Sequence, residues 1–337
     1  MNPTVDVIVP CFNYGKLLEA CVRSVLTQEG VDVRVLVMDD ASTDDTEAVG
    51  RRLAAADPRV QFRRHAVNQG HIATYNEALA VVIADYVMIL SADDLLTPGA
   101  LARATGLMEA HPEVGLTYGR DITFRDAPPL GPLPASSGSV RIVGYFGFLS
   151  AACRLGHTGI QAPTAVVRTS THRAIGGYLP ALPHSGDTEI WLRMAAHSAV
   201  GELDADQAFR RLHAANMSLG YSPLRRLAEQ KRAFDTHFES QSPLTPELAI
   251  LQAVVHRTIA ESAFWNGAQA FEQGEPSACE EFLAFAAATS PGIESWDAWR
   301  RLNWKRRLGP SACRVIGPLA AGARLITRPF TAARTVH

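Results

Sequence analysis

What this chain has little of narrows its class before any motif is read. Its five cysteines (Cys11, Cys21, Cys153, Cys279 and Cys313) are odd in number and scattered, with no CxxC pair and no Cys/His spacing suited to zinc. Neither a disulfide framework nor a structural zinc site is therefore indicated, and a reducing, cytoplasmic compartment is expected. No window supplies the roughly 18 uncharged apolar residues that a membrane-spanning helix needs. The amino terminus enters a strand pattern at once, without the basic and apolar regions of an export signal. With 337 residues, 47% hydrophobic and 20% charged, the chain reads as globular, large enough for one big domain and an appendage, and neither disordered nor collagen-like.

Four short β-branched runs are present instead: "VDVIVP" (Val5 to Pro10), "VRVLVM" (Val33 to Met38), "VQFRR" (Val60 to Arg64) and "YVMIL" (Tyr86 to Leu90). Helical patterns separate them, at about Lys16 to Gln28, Asp44 to Ala55 and Ile72 to Ile83. Strands that alternate with helices and are apolar on both faces predict a parallel, doubly wound α/β sheet. Ligands of such sheets bind beyond the carboxyl ends of the strands. Each run here ends in a polar cluster at that edge: "CFNYG", "DDASTDD", "HAVNQGH" and "SADD".

Taken singly, two of these clusters have an ordinary explanation. In "DDASTDDT", Ser42 or Thr43 with Asp44 and Asp45 makes a helix cap and an acidic first turn, although Asp39 and Asp40 are then left without a partner. "SADDLLTPGAL" could cap a helix beginning near Pro98. Taken together, carboxylates converging on one sheet edge repel one another. A hard divalent cation would relieve that repulsion and leave positions open for phosphate oxygens, so a Mg²⁺ or Mn²⁺ diphosphate site is the simplest chemistry for this edge.

The segments "VIVPCFNYGKLLEACVRSVLTQ", "VLVMDDASTDDT", "NQGHIATYNEAL", "YVMILSADDLLTPGAL", "VVRTSTHRAIGGY", "SGDTEIWLRMA" and "RRLHAANMS", spanning about Val5 to Ser218, resemble a family 2 glycosyltransferase with the GT-A fold. One of them would be a weak match; all of them, in the family's order and spacing, are a strong one. The resemblance implies a mostly parallel, Rossmann-like central sheet with flanking helices. It also implies transfer of a sugar from a nucleotide-diphosphate sugar, UDP-linked by preference, to an acceptor hydroxyl, with inversion and a divalent metal. It puts Pro10, Phe12 and Asp40 around the base and ribose, and Asn76 near the donor. The DxD element of the family falls on Ser91, Ala92 and Asp93, so Ser91 replaces its first carboxylate and Asp93 becomes the metal ligand. Asp94 joins it through water or touches the donor sugar, with a helix cap as its alternative. Asp187 is the general base, with Gly186 where an acidic neighbour is usual, Glu189 as the rival carboxylate and a helix cap as its other reading. Trp191, Leu192 and Met194 continue as a helix and read as core. His213 approaches the metal or diphosphate, and Arg210 or Arg211 could steady the leaving group.

The GT-A domain is expected over residues 1–220, its donor half to about 118 and its acceptor half from 119, with an irregular acceptor-side loop in "DAPPLGPLPASSGSV". Residues 221–337 read as helical, with two or three amphipathic helices and a break at Gly274 to Pro276. This region could pack on the transferase domain, hold an acceptor or form a homo-oligomer. From Trp296 onward Arg300, Arg301, Lys305, Arg306, Arg307, Arg314, Arg324, Arg328 and Arg334 face only Asp297, although the net charge of the chain is -2. With Trp296, Trp299 and Trp304 these bases suit an anionic membrane surface at the inner face, or equally a solvated basic helix. No nucleic-acid-binding motif is present. The resemblance points to a non-processive enzyme acting on a saccharide or lipid-linked acceptor, since the QxxRW element of processive synthases is absent. A catalytically idle scaffold that binds nucleotide sugar is the alternative opened by Ser91 and Gly186. A nucleotidyltransferase would need a Gly-rich basic phosphate loop, which "PCFNYGK" is not.

Overall fold

A computed structural model describes residues 1–129, 138–213 and 220–308. The chain opens with β1 (Thr4–Cys11), α1 (Gly15–Leu26), β2 (Asp32–Asp39), α2 (Thr46–Ala56), β3 (Val60–Arg64), α3 (His71–Ala80) and β4 (Tyr86–Ile89). Leu18, Cys21, Val22 and Val25 recur at helical spacing and are the buried face of α1. β3, β2, β1 and β4 pair in parallel in that order. The order reverses between β1 and β4, and a doubly wound sheet opens its ligand crevice at such a reversal. Buried Asp6 on β1 tightens this half: it accepts both prongs of Arg34 from β2, at 2.7 and 2.6 Å, and the N–H of Ile83 ahead of β4 at 2.8 Å.

Beyond β4 the sheet is mixed rather than parallel. The next elements are β5 (Leu95–Leu96), α4 (Ala100–Ala110), β6 (Val114–Phe124), β7 (Val140–Val143), α5 (Tyr145–Leu155), β8 (Val166–Arg168), α6 (Thr169–Ile175), α7 (Gly186–His197) and β9 (Ala199–Arg211). β8 is antiparallel to both β4 and β6, β6 is parallel to β9, and β5 and β7 each pair antiparallel with β9. β8 has only three residues and β5 two, too short to carry a readable period.

Four helices follow: α8 (Pro223–Ser240), α9 (Pro246–Gln273), α10 (Pro276–Thr289) and α11 (Asp297–Leu308). The first two start with a proline behind a hydroxyl cap, where Ser222 accepts from the N–H of Arg225 and Thr245 from that of Leu248. This region packs on the α/β domain. Phe234 and Phe238 of α8 and Val255 and Ile259 of α9 lie in one core with α5, α7 and the sheet. The other end of α9 forms a separate core with α10 and α11. Trp299 is buried there against Phe264, their rings stacked at 5.5 Å, and Trp296 meets the same ring edge-on at 6.1 Å. Two of the three tail tryptophans thus serve packing, and only Trp304 is largely exposed among them. The remaining bases of the tail, from Arg314 onward, lie outside the described residues. No described helix is long and apolar enough to cross a membrane.

Phe264 is 1% exposed. Phe264→Ala should lower the unfolding free energy by about 3–5 kcal/mol, the usual cost of emptying a buried aromatic site. Urea denaturation followed by tryptophan fluorescence measures it, and a loss below about 1 kcal/mol would show that the small helical core closes over the cavity.

Candidate active site

The carboxyl edge of the sheet is built by pairing its acids with groups from neighbouring strands and loops. Asp39, fully buried at the tip of β2, holds the Arg64 guanidinium of β3 and accepts from the N–H of Ser42 at 2.9 Å. Asp40 accepts from the N–H groups of Gln69 and Gly70, at 2.8 and 2.9 Å, and from His65 Nδ1 at 2.7 Å. The expectation that these two acids lack partners is corrected: β3 and the loop after it supply the cation and the donors. Asp40 thereby fastens the "NQG" loop beside β2. Asn13 and Ala41 take left-handed backbone conformations, φ 61° and 60°, at the tips of β1 and β2. Their loops are tied together by Asn13 N–H on Ser42 Oγ and Thr43 N–H on Asn13 Oδ1, both 2.8 Å. Non-glycine residues persist in this strained region when their surroundings over-determine it, as commonly happens at ligand sites. Pro10 lies in β1 just before this edge, and Phe12 is 45% exposed beyond it.

Asp93 and Asp94 cap no helix. α4 starts at Ala100 behind Gly99, and β5 intervenes. Asp94 accepts from the N–H of Arg211 at 2.9 Å, while Asp93 Oδ2 lies 2.8 Å from His213 Nε2, a residue 120 positions away. Burial, and then the Asp93 charge, push Asp94 up to about 7. Arg211 adds a bond from Nε to the Asp93 carbonyl at 3.2 Å and stacks over Phe124 at 4.4 Å, whereas Arg210 is paired with Asp121 at 2.6 Å. The rest of "RRLHAANMS" after His213 lies outside the described residues.

The two carboxylates at the start of α7 have different surroundings. Glu189 is buried and grips Arg193 with both oxygens at 2.6 Å. Asp187 is partly exposed and caps no helix, because Ser185 holds the cap position. Burial raises its pKa, opposed by the nearby Tyr178 hydroxyl and by His71. Asp187 lines a cavity with about 40 Å³ of water-accessible space, shared with Ser91, Tyr75, Tyr178, His172 and Trp191. The cavity runs from the base candidate to the residue that replaces the first acid of the DxD element. Trp191 Nε1 and His172 Nε2 are buried without a hydrogen-bond partner. About 10–15 Å³ suffices for one water, so the space has room for the water those atoms need.

A protein-family model described as glycosyl transferase family 2 matches residues 6–168. Over these residues the chain belongs to glycosyl transferase family 2. Among its relatives, the GalNAc(5)-diNAcBac-PP-undecaprenol beta-1,3-glucosyltransferase of Campylobacter jejuni is 37% identical over 101 residues, 30% of this chain and 33% of that protein. Solved structures share the GT-A fold at lower identity. TarS 1-349 of S. aureus in complex with UDP-GlcNAc aligns over 94% of this chain and 91% of its own, at 17% identity and a TM-score of 0.63. The mannosyltransferase PcManGT from Pyrobaculum calidifontis, in complex with GDP-Man and Mn²⁺, covers 96% and 88% at 18% identity and a TM-score of 0.53.

Reading the sequence of this glycosyltransferase missed the aromatic support of the segment that leads into α7. His71 and Tyr75, four residues apart on α3, share one helix face, and Tyr75 meets Tyr178 edge-on at 5.3 Å. The signal lay in "NQGHIATYNEAL", where that spacing was readable but had no visible partner. His71 Nε2 donates to the Pro183 carbonyl at 2.6 Å, fixing the loop that leads into α7. Asn76, expected near the donor, uses its amide on the backbone of Tyr178, accepting from the N–H at 2.8 Å and donating to the carbonyl at 2.9 Å. Asn76→Ala leaves both backbone groups unpaired and should lower the transferase's unfolding free energy by about 1–3 kcal/mol. Chemical denaturation checks this, and an unchanged midpoint would mean that water replaces the amide.

Proposed function

We infer that this chain is a non-processive, inverting transferase that moves a sugar from a nucleoside-diphosphate sugar, UDP-linked by preference, to a hydroxyl of a saccharide or lipid-linked glycan. One observation carries the reading: of the two acids that open α7, Asp187 faces the cavity it shares with Ser91, while Glu189 is occupied by Arg193. A base must have an open oxygen within reach of the proton it takes. As the acceptor oxygen attacks the anomeric carbon, its proton passes to a carboxylate oxygen of Asp187, and the bond from that carbon to the diphosphate breaks on the opposite face. Burial raises the pKa of Asp187 and so strengthens it as a base. A lipid-linked acceptor agrees with the name of the Campylobacter relative, which includes a PP-undecaprenol, and with the basic end of α11.

Asp93 and His213 would hold a divalent ion. Their contact at 2.8 Å brings together a carboxylate and an imidazole, a donor pair suited to Mn²⁺ and tolerable for Mg²⁺. Among the described residues no cluster of three or more such side chains exists. The remaining positions would therefore fall to water and the donor's phosphate oxygens, as is common for these ions. When bound, the ion neutralises the charge that develops on the leaving diphosphate. PcManGT, which shares the fold, is seen with Mn²⁺.

Calorimetric titration with UDP and GDP should give metal-dependent binding of one of them in the wild type, lost with EDTA and lost in Asp93→Ala. Equal affinity under all three conditions overturns the metal assignment. Asp187→Asn should cut release of nucleoside diphosphate by at least about a hundredfold with donor affinity little changed, since general-base catalysis contributes about 10²–10⁴-fold. Glu189→Gln should be much milder. Wild-type turnover should fall as the pH drops through the raised pKa of Asp187, with its acid limb above the ordinary aspartate range. A dead Glu189→Gln beside an active Asp187→Asn would show that the base is the other acid.

A further inference from the structure

α7 opens without the bond that usually steadies a first turn. Ser185 holds its cap position, yet the hydroxyl makes no cap; it donates across to Oε1 of Gln230, on α8, at 3.4 Å. The same amide donates from Nε2 to the Thr188 hydroxyl at 2.9 Å. One residue back along α8, Glu229 accepts from the N–H of His184 at 2.8 Å, and its other oxygen lies 3.3 Å from Nε of Arg225. The His184 ring stacks on Tyr221, just ahead of α8, at 4.2 Å. α8 thus grips residues on both sides of Asp187, and none of these bonds uses the Asp187 carboxylate. Ser185 is 3% exposed and Thr188 8%, so the clamp is shielded from water. It also has a firm base: Phe234, four residues beyond Gln230 and on the same helix face, lies in one core with Ile190 and Trp191 of α7.

We propose that Gln230 and Glu229 are positioning residues for the base: by tying Ser185, Thr188 and the His184 peptide to α8 they fix the first turn of α7 and with it Asp187. The role rests on reading Asp187 as the base. The first turn of a helix leaves its N–H groups unpaired and is the part that loosens when no side chain caps it. Here its order comes from another helix, through an amide that both donates and accepts, which a carboxylate or an apolar side chain of the same length cannot do. A shift of about 1 Å at a reacting group can cost on the order of a hundredfold in rate, so the clamp matters to turnover more than to binding. The helical region thereby enters the reaction without touching the substrate.

The test needs no knowledge of the acceptor. In protein carrying ¹³C-labelled aspartate, the Asp187 carboxyl resonance is identified by its loss in Asp187→Asn and followed with pH. Burial holds the Asp187 pKa up, while His71 from α3 and the Tyr178 hydroxyl act against it and stay in place in these variants. Gln230→Met keeps length and bulk but neither bond; a loosened first turn admits water, so the midpoint should fall toward the ordinary aspartate range by about half a pH unit or more. Lys231→Met, which breaks the ion pair to Asp235 within α8, should leave the midpoint where it is. With UDP-GlcNAc or GDP-mannose and Mn²⁺, Gln230→Met should lower kcat for nucleotide release about tenfold or more and keep the donor KM. Thr188→Val should act in the same direction, while Thr188→Ser, which keeps the hydroxyl, stays near wild type. Placed on Asp187→Asn, Gln230→Met should cost nothing further. Retained binding of UDP or GDP verifies that each variant is folded. An unmoved midpoint or an unchanged kcat in folded Gln230→Met overturns the proposal even where Asp187→Asn is inactive. An active Asp187→Asn overturns the reading of the base, and the positioning role falls with it.

Discussion

Acids gathered at one edge of a sheet repel each other, and the shape of that edge follows from how each is held. Asp39 takes an arginine from the neighbouring strand, Asp40 takes backbone N–H groups from the loop after that strand, and Asp94 takes an N–H from the far end of β9. Each pairing places a loop as well as neutralising a charge, so the crevice is shaped by the requirement that buried carboxylates find partners. Asp93 is matched with His213, the pairing that brings the end of β9 back to the end of β4. The strain carried by Asn13 and Ala41 is local to this edge. It is held by bonds between the same loops.

The alternating half of the fold was legible because its signals are local. The four β-branched runs are parallel strands, largely buried except for β3, and the periods between them are α1, α2 and α3, with boundaries shifted by a few residues. The mixed half was not legible, since β5 and β8 are held by partners more than 40 residues away rather than by any pattern of their own. The candidate site divides in the same way. Residue types at the strand tips could be picked out from spacing, but their partners could not. That Asn76 would spend its amide on Tyr178, 102 residues later, has no trace in either segment. A helix cap was the alternative reading in sequence for Asp93, Asp94 and Asp187, and the actual cap positions at Gly99 and Ser185 remove it.

Around the start of α7 aromatic residues do work that carboxylates do at the tips of β1 and β2. Tyr75 and Tyr178 enclose the cavity beneath Asp187, and α7 carries both the open acid and the buried Glu189 that braces the turn opposite. One helix thus carries both the acid that lines the cavity and the acid that, through Arg193, braces the turn after α6. Two residues separate them, so they leave α7 in different directions.

The 28-residue α9 belongs to two cores at once. Its first half completes the α/β domain through Val255 and Ile259, and its second half organises α10 and α11. The helical region is consequently not a detachable module. A natural recombination that joined this α/β domain to another transferase's carboxyl-terminal helices would leave the surfaces beneath Phe234, Phe238, Val255 and Ile259 facing foreign side chains. Exchange of carboxyl-terminal helices between members of the family is therefore restricted, for this chain, to partners that also match the shape of that seam.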